Sequence, residues 1–133
     1  MSKLMLDTSV LIDHLRNYKP ATEFLETVFG SGIPAIISAV TEMELYAGKS
    51  LQNRTAEDAV QKLLELLDAV PVTSGIARQA GILLRQYRPK GLTPVDAIIA
   101  STAMEQKATL ITRNTRHFRM IDGLLVFDLP AGQ

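Results

Sequence analysis

A chain of 133 residues, 47% hydrophobic and 21% charged, has the size and composition of one domain with a real apolar core, expected to span 1–133. It has no Cys, which excludes disulfides, thiol catalysis and thiolate metal sites, and with only His14 and His117 a histidine-rich metal site is excluded too. Fourteen basic residues balance fourteen acidic ones, but eight basic face two acidic from Arg78 to Arg119, and six face ten in residues 1–77.

Taken in order, the apolar start Met1-Ser2-Lys3-Leu4-Met5-Leu6 is broken at Asp7. That is too short for a signal peptide or a membrane span, so a cytoplasmic protein with no membrane anchor is expected. Lys3 to Leu6 has the look of a buried strand feeding, through Asp7-Thr8-Ser9, a helix with Val10, Leu11, Leu15 and Tyr18 in a stripe. Pro20 opens a second helix carrying Phe24, Leu25, Val28 and Phe29, which Gly30-Ser31-Gly32 ends. Pro34 to Ile37 is a second strand, and Ser38 a cap for a helix through Thr41, Glu42, Met43, Glu44, Leu45 and Tyr46 to Gly48.

Asn53 to Asp68 is amphipathic, with Val60, Leu63, Leu64 and Leu67 at helical spacing. Val70-Pro71-Val72 is a short strand, and Thr73 starts a helix with Ile76, Ala80, Leu83, Leu84 and Tyr87 on its apolar face. In Gly91-Leu92-Thr93-Pro94-Val95-Asp96, Thr93 suits a cap and Pro94 the first helical position, so a helix runs from Thr93 to Gln106 with Asp96 on its first turn. Ala108 to Thr112 is a strand, Arg113 to Met120 a turn with a short helix, and Leu124 to Leu129 the last strand.

Strands alternating with helices predict a parallel sheet covered on both faces, whose ligands bind beyond the carboxyl ends of the strands. Asp7, Asn114, Glu44 and Asp96 all fall near that edge. Each has a plain reading beside a chemical one. Asp7 suits an N-cap, yet a strand-end carboxylate is also a fixed ligand for Mg²⁺ or Mn²⁺. Thr41-x-x-Glu44 and Thr93-x-x-Asp96 both fit capping boxes, and capping leaves carboxylate lone pairs free. Glu42 and Glu44 are two apart on a helix, so only one of them faces a shared site. Asn114 is a turn residue or a neutral ligand. His117 and Phe118 suit ordinary packing. The basic half suits a polyanion beside such a site, with Arg85, Arg88, Lys90, Arg113 and Arg116 as phosphate contacts; solvated helix faces are the plainer reading.

The order of these pieces says more than any one of them. Strand-Asp-Thr-Ser, Thr-Glu-Met-Glu-Leu-x-x-Gly, Pro-Val-Asp-Ala-x-Ile-Ala and strand-Thr-Arg-Asn-x-x-x-Phe follow one another from Met1 to Leu129. In this the chain resembles the PIN-domain family, and within it the VapC-like toxins of toxin–antitoxin pairs. The resemblance implies an α/β fold, a three-layer α/β/α sandwich around a short parallel sheet of about five strands. It implies an endoribonuclease using Mg²⁺ or Mn²⁺, a toxin that inhibits translation, with a cognate antitoxin and a homodimeric state. Asp7, Glu44 and Asp96 match the family's first three acidic residues, the metal ligands. Thr8, Ser9 and Thr112 fall where the family places hydroxyls serving substrate or the metal shell. Beside them the basic run, not the resemblance, offers Arg113 and Arg88 as substrate contacts. Asn114 stands where many members carry a fourth acidic residue, which puts a second metal in doubt.

Two other classes compete. A phosphoacceptor domain with Asp7 as nucleophile usually has a second Asp two residues on, where this chain has Ser9. A non-catalytic PIN-type module binding RNA or protein would be favoured by loss of Asp7 or Asp96, and both are present.

Overall fold

A computed structural model describes residues 3–48 and 53–129; Met1, Ser2 and the four residues past Leu129 fall outside it. The strands are β1 (Leu4–Leu6), β2 (Ala35–Ser38), β3 (Asp68–Val70), β4 (Thr109–Thr112) and β5 (Val126–Asp128). They form one parallel sheet in the order β3-β2-β1-β4-β5, with Met5 opposite both Ile36 and Leu110. The helices are α1 (Thr8–Leu15), α2 (Lys19–Ser31), α3 (Ala39–Ala47), α4 (Arg54–Leu64), α5 (Ser74–Tyr87), α6 (Pro94–Glu105) and α7 (Thr115–Phe118).

Successive strand residues point to opposite faces, and that alternation builds the three layers. Met5, Ile36 and Leu110 face a core made with α5 and α6 through Ala80, Leu83, Ala97, Ile99 and Ala100. Their neighbours Leu6, Ile37 and Ile111 face a second core with α1, α2 and α4 through Val10, Leu11, Leu25, Val60 and Leu63. Burial on both sides is why these strands are continuous apolar runs rather than alternating ones. Each such fully buried aliphatic side chain contributes about 1.5–3 kcal/mol.

The α/β expectation and its five parallel strands therefore hold, with local corrections. The third strand lies at Asp68–Val70, not Val70–Val72. Pro71 has no N–H to give the ladder, and Val70 is already paired with Ser38. The amphipathic stretch expected to reach Asp68 leaves the helix at Leu64, because the chain must turn to bring Asp68 beside Ile36; Leu67 still packs in the core. Leu25 and Val28 of α2 are buried within this chain, and the partly buried Phe24 stacks on the exposed Phe127 of β5 with centroids 6.1 Å apart. Gly32 ends α2 in the left-handed conformation, φ 76°, which suits a residue without Cβ. No helix among the described residues is long and apolar enough to cross a membrane.

In this order the chain crosses from β3, on one side of β1, to β4 on the other. Adjacent β1 and β4 thus flank the point where connections leave in opposite directions, the usual place for a ligand cleft.

Candidate active site

Asp7 follows β1 and Thr112 ends β4, and the parallel register that sets Leu6 beside Ile111 brings them together. The Asp7 N–H donates to the Ile111 carbonyl at 2.9 Å, which ties the backbone there. The carboxylate is N-cap of α1: Oδ1 accepts from the Thr8 N–H at 2.9 Å. Oδ2 accepts from the Ser9 hydroxyl at 2.8 Å and the Thr112 hydroxyl at 2.7 Å. Those hydroxyls in turn accept from the backbone N–H of Arg113 (3.3 Å) and of Asn114 (2.9 Å). Both are thereby aimed at Asp7 rather than free to rotate.

Thr112 is fully buried and does not line the open cavity; its hydroxyl faces the Asp7 carboxylate. Thr8 and Ser9 do reach the cavity wall. The Thr8 hydroxyl donates to Glu44 Oε1 at 2.5 Å and lies 3.0 Å from the Thr41 hydroxyl. Ser38 is the N-cap of α3, accepting from the Val40 N–H, so Thr41 lies inside the helix and the Thr41–Glu44 capping box does not form. Glu42, on the first turn of α3, does not line the cavity; Glu44 does.

Asp96 comes from α6, where Thr93 is the N-cap and accepts from the Asp96 N–H at 3.2 Å. The Asp96 side chain turns instead to His117, whose Nδ1 lies 3.2 Å from Oδ2. Three carboxylates, from the N-cap of α1, from α3 and from α6, thus meet around one cavity of about 280 Å³. Arg16, Arg113 and Asn114 line the rest of it, with Ile12 between. Arg88 is exposed on the 3₁₀ turn Arg88–Lys90 and is not part of this wall, so the structure does not bring it to the site. Arg113 is not an unattached cation: its Nε is ion-paired with the buried Asp13 of α1.

Burial pushes the Asp7 carboxyl above the ordinary value; the Thr112 and Ser9 hydroxyls pull it back in part, and the charge of Asp96 adds to the rise. Glu44 is raised for the same reason, burial first, offset by the Thr8 hydroxyl, with Asp7 and Asp96 adding. The Asp96 charge thus raises both Asp7 and Glu44, and Asp7 raises Glu44, which marks a place where a cation would be favoured.

The donor set fits a hydrated divalent ion. An ionised carboxylate offers about four lone-pair sites, and Asp7 uses three of them. Glu44 Oε2 and Asp96 Oδ1 have no partner among the described residues. No three His, Cys, Asp or Glu side chains among those residues stand close enough to make a preformed cage. Mg²⁺ seldom needs one, since it keeps several waters and takes one or two carboxylates plus substrate phosphate.

His117, Asp13 and Arg16 were not legible as site residues. His117 reaches Asp96 across 21 positions and Arg113 reaches Asp13 across 100, contacts that only the folded chain creates. Asn114 lies on the cavity wall, its side chain making no cap bond to α7.

The PIN domain family model matches residues 4–124. Over 125 residues the chain is 35% identical to a ribonuclease of Mycobacterium tuberculosis named VapC19, covering 90% of this chain and 95% of that one. It is 39% identical over 126 residues to another from that organism, named VapC10, covering 91% and 90%. Among solved structures, DNA-bound VapBC from Salmonella typhimurium superposes with a TM-score of 0.83 at 27% identity, covering 98% of this chain and 100% of that one.

Proposed function

The chain belongs to the PIN-domain family, and from that premise we propose that it is a metal-dependent endoribonuclease, the toxin of a toxin–antitoxin pair. The observation that carries this is the meeting of Asp7, Glu44 and Asp96, far apart in sequence, on one cavity where hydroxyls hold two of them in place. Similarity to proteins named VapC ribonucleases supports RNA as substrate, and likeness to a solved VapBC assembly supports a cognate antitoxin. A cytoplasmic homodimer that arrests translation belongs to the same reading.

Asp7 and Asp96 would hold Mg²⁺ or Mn²⁺ directly, and Glu44 directly or through a water. A bound ion supplies Lewis acidity, lowering the pKa of an attacking water and neutralising charge on the phosphate. The protein's own part is positional. The N-cap bond and two hydroxyls fix Asp7, Thr8 orients Glu44, and the capped first turn of α6 presents Asp96. Asn114 leaves the fourth acidic position neutral, which suits one hydrated ion over two.

The test is RNA cleavage by antitoxin-free protein in Mg²⁺, Mn²⁺ and EDTA, with Asp7→Asn and Asp96→Asn beside it. Metal-dependent cleavage that both variants lose is expected. Equal cleavage by the variants would refute this site. Absence of both metal binding and cleavage would favour the non-catalytic binding module.

A further inference from the structure

Arg113 occupies an unusual place. It is part of the wall of the carboxylate cavity and also of a second recess of about 300 Å³, lined with Asn114, Thr115, Arg116 and His117. It is therefore the cation shared by two adjoining cavities, one acidic and one basic. Its guanidinium is held from behind, with Nε paired to the carboxylate of Asp13. Asp13 is 6% exposed, and its own backbone carbonyl accepts from Arg16 and Tyr18 at the end of α1, so the backbone that carries the carboxylate is fixed.

A guanidinium has five N–H donors in a flat fork; with Nε turned to Asp13, the four on the two terminal nitrogens face away from it. These have no partner among the described residues, and the side chain is one-third exposed. A planar fork with its rear edge fixed and its front edge open is matched to the paired oxygens of a phosphate. Asp13 lies six residues beyond Asp7 on α1, about 9 Å along the helix axis at 1.5 Å per residue. Arg113 is thus displaced from the carboxylates, and Arg16, on the same wall, adds a second positive charge.

Resting on the nuclease reading, we propose that Asp13 is a positioning residue that presents Arg113 as the clamp for a phosphate flanking the scissile one. The acidic end of the cavity takes the metal and the bond to be cut. The Arg113 end takes the neighbouring phosphate and sets the register of the strand. Because phosphate contacts carry no base information, the clamp governs affinity and register, not sequence preference.

The experiment is a double-mutant cycle of Asp13→Asn and Arg113→Lys, read as KM and kcat on a single-stranded RNA oligonucleotide in Mg²⁺, with Mn²⁺ affinity and Tm measured alongside. Lysine keeps the charge but has neither the fork nor the Nε that pairs with Asp13. Each single variant should raise KM about tenfold, change kcat by less than about threefold, and leave Mn²⁺ affinity within about twofold. The double variant should be no worse than either single one, since Asp13 acts only through Arg113. A further variant, Asp13→Asn with Arg113→Gln, removes the pair without stranding a buried charge. It should make the dependence of log(kcat/KM) on log salt shallower by about 0.7, the loss of one phosphate contact on a single strand. Additive KM effects, or an unchanged salt slope, would overturn the proposal while wild-type cleavage leaves the nuclease reading standing. A wild-type protein that cleaves no RNA would overturn both.

Discussion

Replacing Thr112 by Val removes one hydroxyl and keeps the shape of a side chain that has no exposure. The hydroxyl has two partners: it donates to Asp7 Oδ2 at 2.7 Å and accepts from the Asn114 N–H at 2.9 Å. Asn114 is exposed, so water replaces the second bond at little cost. The first cannot be replaced, because Asp7 is buried. A hydrogen bond to a charged group is worth about 1.5–3 kcal/mol, so Thr112→Val should lower stability by about that much at neutral pH. At about 4 °C per kcal/mol for a domain of this size, Tm should fall by about 6–12 °C. Thr112→Ser keeps the hydroxyl and loses one methyl group, about 0.8 kcal/mol.

The pH dependence separates this bond from simple packing. The Thr112 hydroxyl lowers the Asp7 pKa, although burial leaves it raised overall. Removing the hydroxyl raises it further. A carboxyl raised on folding disfavours the folded state wherever it is ionised, and the penalty vanishes as pH falls through the folded pKa toward the unfolded value of 3.8. The Val penalty should therefore be full where Asp7 is ionised and shrink as it protonates, while the Ser penalty stays flat. Urea unfolding of the metal-free proteins across that range measures both. A Val penalty equal to that of Ser, or constant with pH, would refute the claim that Thr112 serves the Asp7 charge.

Asp96→Asn should lower Mn²⁺ affinity at least tenfold by calorimetry. Because the Asp96 charge helps raise Asp7 and Glu44, it should also bring both toward ordinary carboxylate titration in the metal-free protein, followed by carboxyl NMR; unmoved titrations would mean that the three groups do not share a site. In the wild type, protons compete with metal at Asp7 and Glu44, so Mn²⁺ affinity should begin to fall at a higher pH than ordinary carboxylates with values of 3.8 and 4.5 would give; an affinity that stays flat until those values would contradict the raised pKa. His117→Ala removes the partner of Asp96 Oδ2. Losing an outer-shell partner of this kind costs about 10–100-fold in metal affinity, so a His117→Ala protein that binds Mn²⁺ as the wild type does would show that the contact is incidental.

What the sequence exposes are features that repeat locally. Four of the strands follow from apolar runs, while the third, Asp68–Val70, does not, its apolar run Val70-Pro71-Val72 starting two residues late. The helix starts at Ser38, Asn53, Thr73 and Thr93 follow from cap chemistry, and each of those four side chains accepts from a backbone N–H of its helix. The ordering of the acidic motifs brings Asp7, Glu44 and Asp96 to one sheet edge, and the cavity they share agrees with that. The contacts that escape are pairs with no local signature. Nothing near Asp13 marks it as the partner of Arg113, since an Asp on an amphipathic helix has the look of a surface charge until the β4–α7 loop folds over it. His117 is likewise one isolated imidazole until α6 and α7 meet.

The choice between cap and ligand, which local spacing leaves open for all three carboxylates, resolves differently at each. Asp7 caps α1 through Oδ1 and keeps one lone-pair site that Thr8, Ser9 and Thr112 do not take. Glu44 caps nothing, because Ser38, three residues before Thr41, is the N-cap of α3. At Asp96 only the backbone half of the box forms: Thr93 takes the N–H, and the carboxylate goes to His117. The hydroxyl residues take over the structural work, and that division frees the carboxylates for charge. It also explains why Thr8, Ser9 and Thr112 cluster around so few acids. A carboxylate as buried as Asp7 is costly without donors. Donors that also accept from backbone N–H groups hold it still without neutralising it, and the negative charge is left for whatever cation the cavity receives.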